Sequence, residues 1–107
     1  MYKSSGEILE RLFEVIESRK GKDPNSSYTA QLFDAGMPEI AKKVGEEAVE
    51  TITAALSGPE YITSESADLI YHLLVLWSAA GIKPADVWSE LDKREGVSGI
   101  IEKASRE

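Results

Sequence analysis

Between Ala67 and Ala80 the chain reads ADLIYHLLVLWSAA. On a wheel of about 100° per residue, its apolar side chains point in nearly every direction, and such a helix needs cover almost all round. The longest apolar stretch, Leu69 to Ile82, includes His72 and Ser78 and is too short to span a bilayer. The segment therefore predicts a buried helix, and the rest of the chain must supply what packs around it.

The other segments keep the helical period. A first helix is expected from about Ser5 to Ser18, with Ile8, Leu9, Leu12, Phe13 and Ile16 as its apolar stripe. The loop RKGKDPNSS follows, locally basic through Arg19, Lys20 and Lys22. A short helix from about Ser27 to Asp34 ends at Gly36, and Pro38 suits the first turn of a third helix reaching about Leu56. In that helix Ala41, Val44, Ala48, Ile52 and Ala55 share one face. After Ser57-Gly58-Pro59, a fourth helix runs from about Pro59 or Tyr61 to Ala80, where Gly81 ends it. A fifth runs from Pro84 to about Arg94, with Val87, Trp88 and Leu91 as its apolar side. Trp77 and Trp88 read as core or interface residues, and Gly96 and Gly99 mark an irregular or short-helical tail. No run alternates cleanly as a strand does. Short connections between antiparallel helices give an all-α bundle of about five helices, as one domain over residues 1–107. A chain of this size buries a marginal core alone, so an oligomer would help.

The formal net charge of −7 argues against nucleic-acid binding, which needs a basic surface. Cysteine is absent, which excludes disulfides, and one histidine without cysteine excludes a His/Cys zinc site. The N-terminus MYKSSGEILERLF is too polar for a signal peptide, so a cytoplasmic protein with no membrane segment is expected. P-loop, GxGxxG and HExxH motifs are missing.

The acidic residues are patterned. Glu46-Glu47-Ala48-Val49-Glu50 lies on the third helix and Glu65-Ser66-Ala67-Asp68 on the fourth. Residues three apart share a helix side, so Glu47 pairs with Glu50 and Glu65 with Asp68. If the two helices pack antiparallel, four carboxylates meet, which requires cations or large pKa shifts. A hard divalent ion with oxygen ligands is the natural partner, and magnesium commonly bridges to substrate phosphates. That would also reconcile an acidic protein with an anionic substrate. The plainer alternative stands beside it: on the wheel Glu46, Glu47 and Glu50 lie opposite the apolar stripe, and on the third helix alone a solvated face explains them well. Asp68, on a helix expected to be buried, needs either a metal or a salt-bridging lysine or arginine. His72 is a core histidine or a ligand. Gly45, inside a helix, allows close approach or is merely tolerated. Lys43 neutralises a carboxylate, reaches a phosphate or is simply exposed.

EExxE followed after 14 residues by ExxD resembles the motif of the all-α nucleoside triphosphate pyrophosphohydrolases, the MazG-like superfamily. The similarity is closer to the phosphoribosyl-ATP pyrophosphohydrolase branch and covers nearly the whole chain. It includes L-x-x-L-x-x-V-I-x-x-R-K at Leu9–Lys20, P-x-S-S-Y-T-x-x-L at Pro24–Leu32 and KKVGEEAVE at Lys42–Glu50. It continues through ESADLIYHLLVL at Glu65–Leu76 and the tail L-x-x-R-E-G-V-S-G-I-I-E-K-A-S-R at Leu91–Arg106. The resemblance implies an all-helical homodimer that holds magnesium, with manganese as a substitute. It further implies hydrolysis of phosphoribosyl-ATP to phosphoribosyl-AMP and pyrophosphate, the second step of histidine biosynthesis.

On that basis Glu47, Glu50, Glu65 and Asp68 are expected to hold metal, assisting attack of water at the α–β phosphate bridge. Glu46 is a candidate for orienting or deprotonating the water, an extra ligand, or an exposed residue. Glu46, Glu47 and Glu50 thus form the catalytic set. Arg19, Lys20, Lys22, Ser27, Tyr28, Thr29 and Lys43 are expected to grip phosphates or the extra ribose, with Arg94 as a weaker candidate. The rival readings are a house-cleaning hydrolase of dUTP or aberrant triphosphates, a non-catalytic helical dimerisation module, and a regulatory metal-binding bundle.

Overall fold

A computed structural model describes residues 5–96 and 99–106, apart from the side chains of Ile101 and Glu102. Val97 and Ser98 of the tail motif lie outside the described residues. The described residues form six helices and no strand: α1 Glu7–Ser18, α2 Tyr28–Ala35, α3 Met37–Ala55, α4 Pro59–Ala80, α5 Pro84–Arg94 and α6 Gly99–Arg106. None of them is long and apolar enough to cross a membrane.

Local chemistry sets these boundaries. Ser27 caps α2 by accepting a 3.1 Å hydrogen bond from the Ala30 N–H. Gly36, at φ 94°, is the single residue between α2 and α3, a turn that a side chain would strain. Gly81, at φ 77°, closes α4, with its N–H bonded to the Ser78 carbonyl and that of Ile82 to the Trp77 carbonyl. Pro59 and Pro84 open α4 and α5, where no intrahelical N–H is required.

α3 and α4 form an antiparallel hairpin, the dominant packing of the molecule. α1 packs on α4, α2 on both α3 and α4, and α5 on α1. Phe13, Ile16, Leu32, Ile40, Leu74 and Val75 make the core. Burying each such side chain is worth about 1.5–3 kcal/mol before conformational entropy is counted. Ile40 lies early in α3 and Leu74 and Val75 late in α4, so the core fills one half of the hairpin. Trp77 and Trp88 meet edge to face at 5.9 Å beside it.

The other half of the hairpin is thinly covered. Val49, Ile52, Leu56 and Tyr61 are 60%, 65%, 88% and 55% exposed. Two expectations change accordingly. α4 is not covered all round: His72, Leu74, Val75 and Ser78 are buried, whereas Ala67, Asp68 and Ile70 are exposed in the single chain. On α3 the buried residues are Ile40, Glu47 and Ala54, not the centre of the apolar stripe. α4 docks on a sector between the apolar stripe and the acidic face. Ala41, Ile52 and Ala55 are therefore left outside while one glutamate is carried in.

Candidate metal and substrate site

The α3–α4 packing brings Glu47 against Glu65 and Asp68. One carboxylate oxygen of each lies within 4.8 Å of the others, with Glu47 buried, Glu65 half-buried and Asp68 exposed. Thr51, one turn after Glu47, fixes the register between the helices. Its hydroxyl lies 2.8 Å from the Glu47 carbonyl on its own helix and 3.3 Å from the Glu65 carbonyl across the gap.

Glu47 carries the electrostatic cost of this crowding. Its pKa is pushed up to about 7, first by a hydrogen bond shared with Glu50, then by burial and by the charges of Glu50 and Asp68, with Lys43 opposing them. Near neutral pH this carboxyl is therefore still partly protonated without a cation. Three oxygen donors around a group that resists ionisation suit a hard divalent ion better than a soft one. Glu50 is exposed and outside the three-residue cluster, joined to it through Glu47.

Glu46 lies 3.1 Å from Lys43 and 3.9 Å from Lys42. The Lys43 ammonium is half-buried, and its pKa is raised first by Glu46, with Tyr28 and Glu47 adding to the effect. Lys43, Gly45, Glu46, Glu47, Val49 and Glu50 line an open cleft of about 920 Å³. A second cleft of about 530 Å³ is lined by Arg19, Lys22, Asp23, Ser26 and Ser27.

The other expected substrate contacts divide between these clefts and the fold. Lys20 turns inward: its ammonium lies 2.9 Å from the Ser78 carbonyl and 3.0 Å from Glu17, above the Phe33 ring. The Ser78 hydroxyl donates to the same Glu17, and that bond, followed by Lys20, holds Glu17 below the usual carboxylate range. Arg94 sits on α5, bonded to Glu90 at 2.9 Å, and lines a different cleft with Trp88, Leu91, Asp92 and Glu95. Ser27 serves the α2 cap, and Thr29 hydrogen-bonds the Tyr71 hydroxyl. Tyr28, 48% exposed, bonds His72 at 3.2 Å.

Two residues of this neighbourhood escape sequence reasoning, Thr51 and Tyr71, whereas His72 is the core histidine of its two readings, buried with both ring nitrogens bonded. For Thr51 and Tyr71, spacing was the available signal. Thr51 follows Glu47 by one turn, and Tyr71 and His72 follow Asp68 by one turn.

Comparison with known proteins adds an independent finding. Residues 9–95 match the family model described as "Phosphoribosyl-ATP pyrophosphohydrolase". The phosphoribosyl-ATP pyrophosphatase of Paramagnetospirillum magneticum is 61% identical over 100 residues, covering 92% of this chain and 92% of its own. That of Azospirillum brasilense is 55% identical over 105 residues, covering 97% and 95%. That of Rhodospirillum rubrum is 54% identical over 101 residues, covering 94% and 86%.

Proposed function

Since the chain belongs to the phosphoribosyl-ATP pyrophosphohydrolase family, we infer that it hydrolyses phosphoribosyl-ATP to phosphoribosyl-AMP and pyrophosphate within histidine biosynthesis. The observation that carries the mechanism is the meeting of Glu47, Glu65 and Asp68 across the hairpin. These three residues, completed by Glu50, would hold magnesium. When bound there, the ion supplies charge neutralisation for the phosphates and the pyrophosphate leaving group, and acidifies water.

The chain's own side chains do the rest. Thr51 keeps the α3 and α4 donors in register. Glu46 and Glu50 both line the open cleft beside Glu47, and Glu46, outside the metal-holding set, is the candidate proton acceptor for the attacking water. Lys43 with its partner Glu46 offers a charge-assisted contact to phosphate beside the carboxylates. Arg19, Lys22 and Ser27, which line one cleft, would receive the distal phosphate or the second ribose. Lys20 contributes to the fold that presents them.

A homodimer fits this reading, because Val49, Ile52, Leu56 and Tyr61 form an apolar surface on the same hairpin as the acids. A cytoplasmic location fits a substrate built on ATP. The test is product analysis. Phosphoribosyl-ATP incubated with the protein should yield phosphoribosyl-AMP and pyrophosphate in equal amounts only with a divalent ion. Preference for dUTP in a substrate panel, or hydrolysis indifferent to chelation, would reject the assignment.

A further inference from the structure

The chain's one histidine bonds the backbone of Asp68 through one ring nitrogen and the Tyr28 hydroxyl, in the Ser27-Tyr28-Thr29 segment, through the other. His72 is 7% exposed, with Nδ1 2.9 Å from the Asp68 backbone carbonyl and Nε2 3.2 Å from the Tyr28 hydroxyl. A carbonyl only accepts, so in the neutral ring Nδ1 carries the proton; Nε2 is then a lone pair, and the Tyr28 hydroxyl donates to it. The other tautomer would set a lone pair against the carbonyl oxygen. With both nitrogens engaged, the ring has none to offer a cation. Tyr71 and Tyr28 flank it edge-on at 4.9 and 5.9 Å, and the Tyr71 hydroxyl is itself tied to Thr29.

The two ends of this chain of bonds differ in character. Asp68 is exposed, so packing does not immobilise its carboxylate, and its backbone carbonyl accepts from His72 Nδ1. Tyr28 is half-exposed at the first turn of α2, where an incoming group can reach it. Groups that orient a metal-holding residue commonly matter to affinity without touching the ion.

We infer that His72 is a positioning residue linking the Tyr28 hydroxyl to the Asp68 turn, so that occupancy of the α2 segment and of the carboxylate cluster depend on each other. The inference rests on the reading that the cluster holds a divalent ion and that the α2 segment meets substrate. Linkage makes the dependence reciprocal.

The experiment titrates Mn²⁺ into the substrate-free protein, read by electron paramagnetic resonance, for wild type, Tyr28→Phe, His72→Asn and the double variant. Tyr28→Phe should weaken Mn²⁺ binding about three- to tenfold, the scale of one lost hydrogen bond or orienting partner, although Tyr28 supplies no ligand. The metal-free melting temperature should fall by no more than the roughly 4–8 °C that about 1 kcal/mol is worth in a domain this size, and the titrations are run well below it, where the variant is folded. His72→Asn keeps a donor toward the Asp68 carbonyl but nothing toward Tyr28. Adding Tyr28→Phe to it should therefore bring no further loss. Tyr28→Phe binding within twofold of wild type, additive losses, or losses that merely follow falling melting temperatures would each overturn the inference. A wild-type protein that binds no Mn²⁺ would instead overturn the metal reading beneath it.

Discussion

At Glu47 stability and the proposed metal-holding role pull in opposite directions. Its pKa, raised to about 7 by Glu50, burial and Asp68, means the fold favours the protonated acid more than the unfolded chain does, where the ordinary value is 4.5. The native state therefore binds more protons between those values, and metal-free stability falls as pH rises through that window. Below about pH 4.5 the contribution is fully present; above about pH 7 it is gone. Glu47→Gln should remove this dependence. In metal-free melts the variant should be more stable than wild type at pH 8, and the difference should shrink at pH 5. Turnover should nonetheless drop by more than about 100-fold, because a lost ligand costs more than a lost orienting partner. Divalent-ion stabilisation of wild type should grow from pH 6 to 8 as the proton that competes for Glu47 is lost. If Glu47→Gln melted lower at pH 8, or kept normal turnover, the carboxyl would be structural.

At the scale of elements, most of the helices could be read from the sequence because their ends carry local chemistry: Gly36, Pro38, Pro59, Gly81 and Pro84 act within a turn of where they stand. The pairing of Glu65 with Asp68 was equally legible, since spacing alone sets it. Choosing among Glu46, Glu47 and Glu50 was not. That choice depends on which sector of α3 meets α4, and the apolar stripe misdirects the wheel because part of it stays outside the chain's own core. Nor could spacing separate Lys20, which folds back onto α4, from Arg19 and Lys22, which line a cleft. Two substitutions test these assignments. Thr51→Val keeps shape and removes the hydroxyl that spans both helices, so it should cost about 1 kcal/mol and weaken divalent-ion binding, while Thr51→Ser restores both. Unchanged ion affinity in Thr51→Val would show that the helix register is set elsewhere. Lys20→Met should lower stability by about 1 kcal/mol with the Michaelis constant unmoved, its ion pair being half-exposed. Arg19→Ala and Lys22→Ala should do the reverse, and a raised Michaelis constant in Lys20→Met would return that residue to the substrate.

For the molecule as a whole, the question is what covers the outer half of the α3–α4 hairpin. Val49, Ile52 and Leu56 follow one another at helical spacing, and all are more than half exposed, beside Tyr61 at the start of α4. Gly45 continues the same line, and nothing lies within 4 Å of where its Cβ would be. A glycine within a helix costs about 1 kcal/mol relative to alanine, and this chain makes no contact that requires it. A second copy of the hairpin, packed across that line, would account for the apolar residues and the small one together. It would also extend cover toward Ile70 and the exposed rim of the carboxylate cluster. Wild type should then run in light scattering at about twice its 11.7 kDa chain mass. Ile52→Glu should run as the monomer with its helical circular dichroism largely kept, since that side chain is 65% exposed in the single chain. Activity per chain should fall with dissociation and recover at high protein concentration, as mass action requires. A wild type that stays monomeric at micromolar concentration, or an Ile52→Glu variant that stays dimeric, would place the contact on another face and leave this apolar line without a partner.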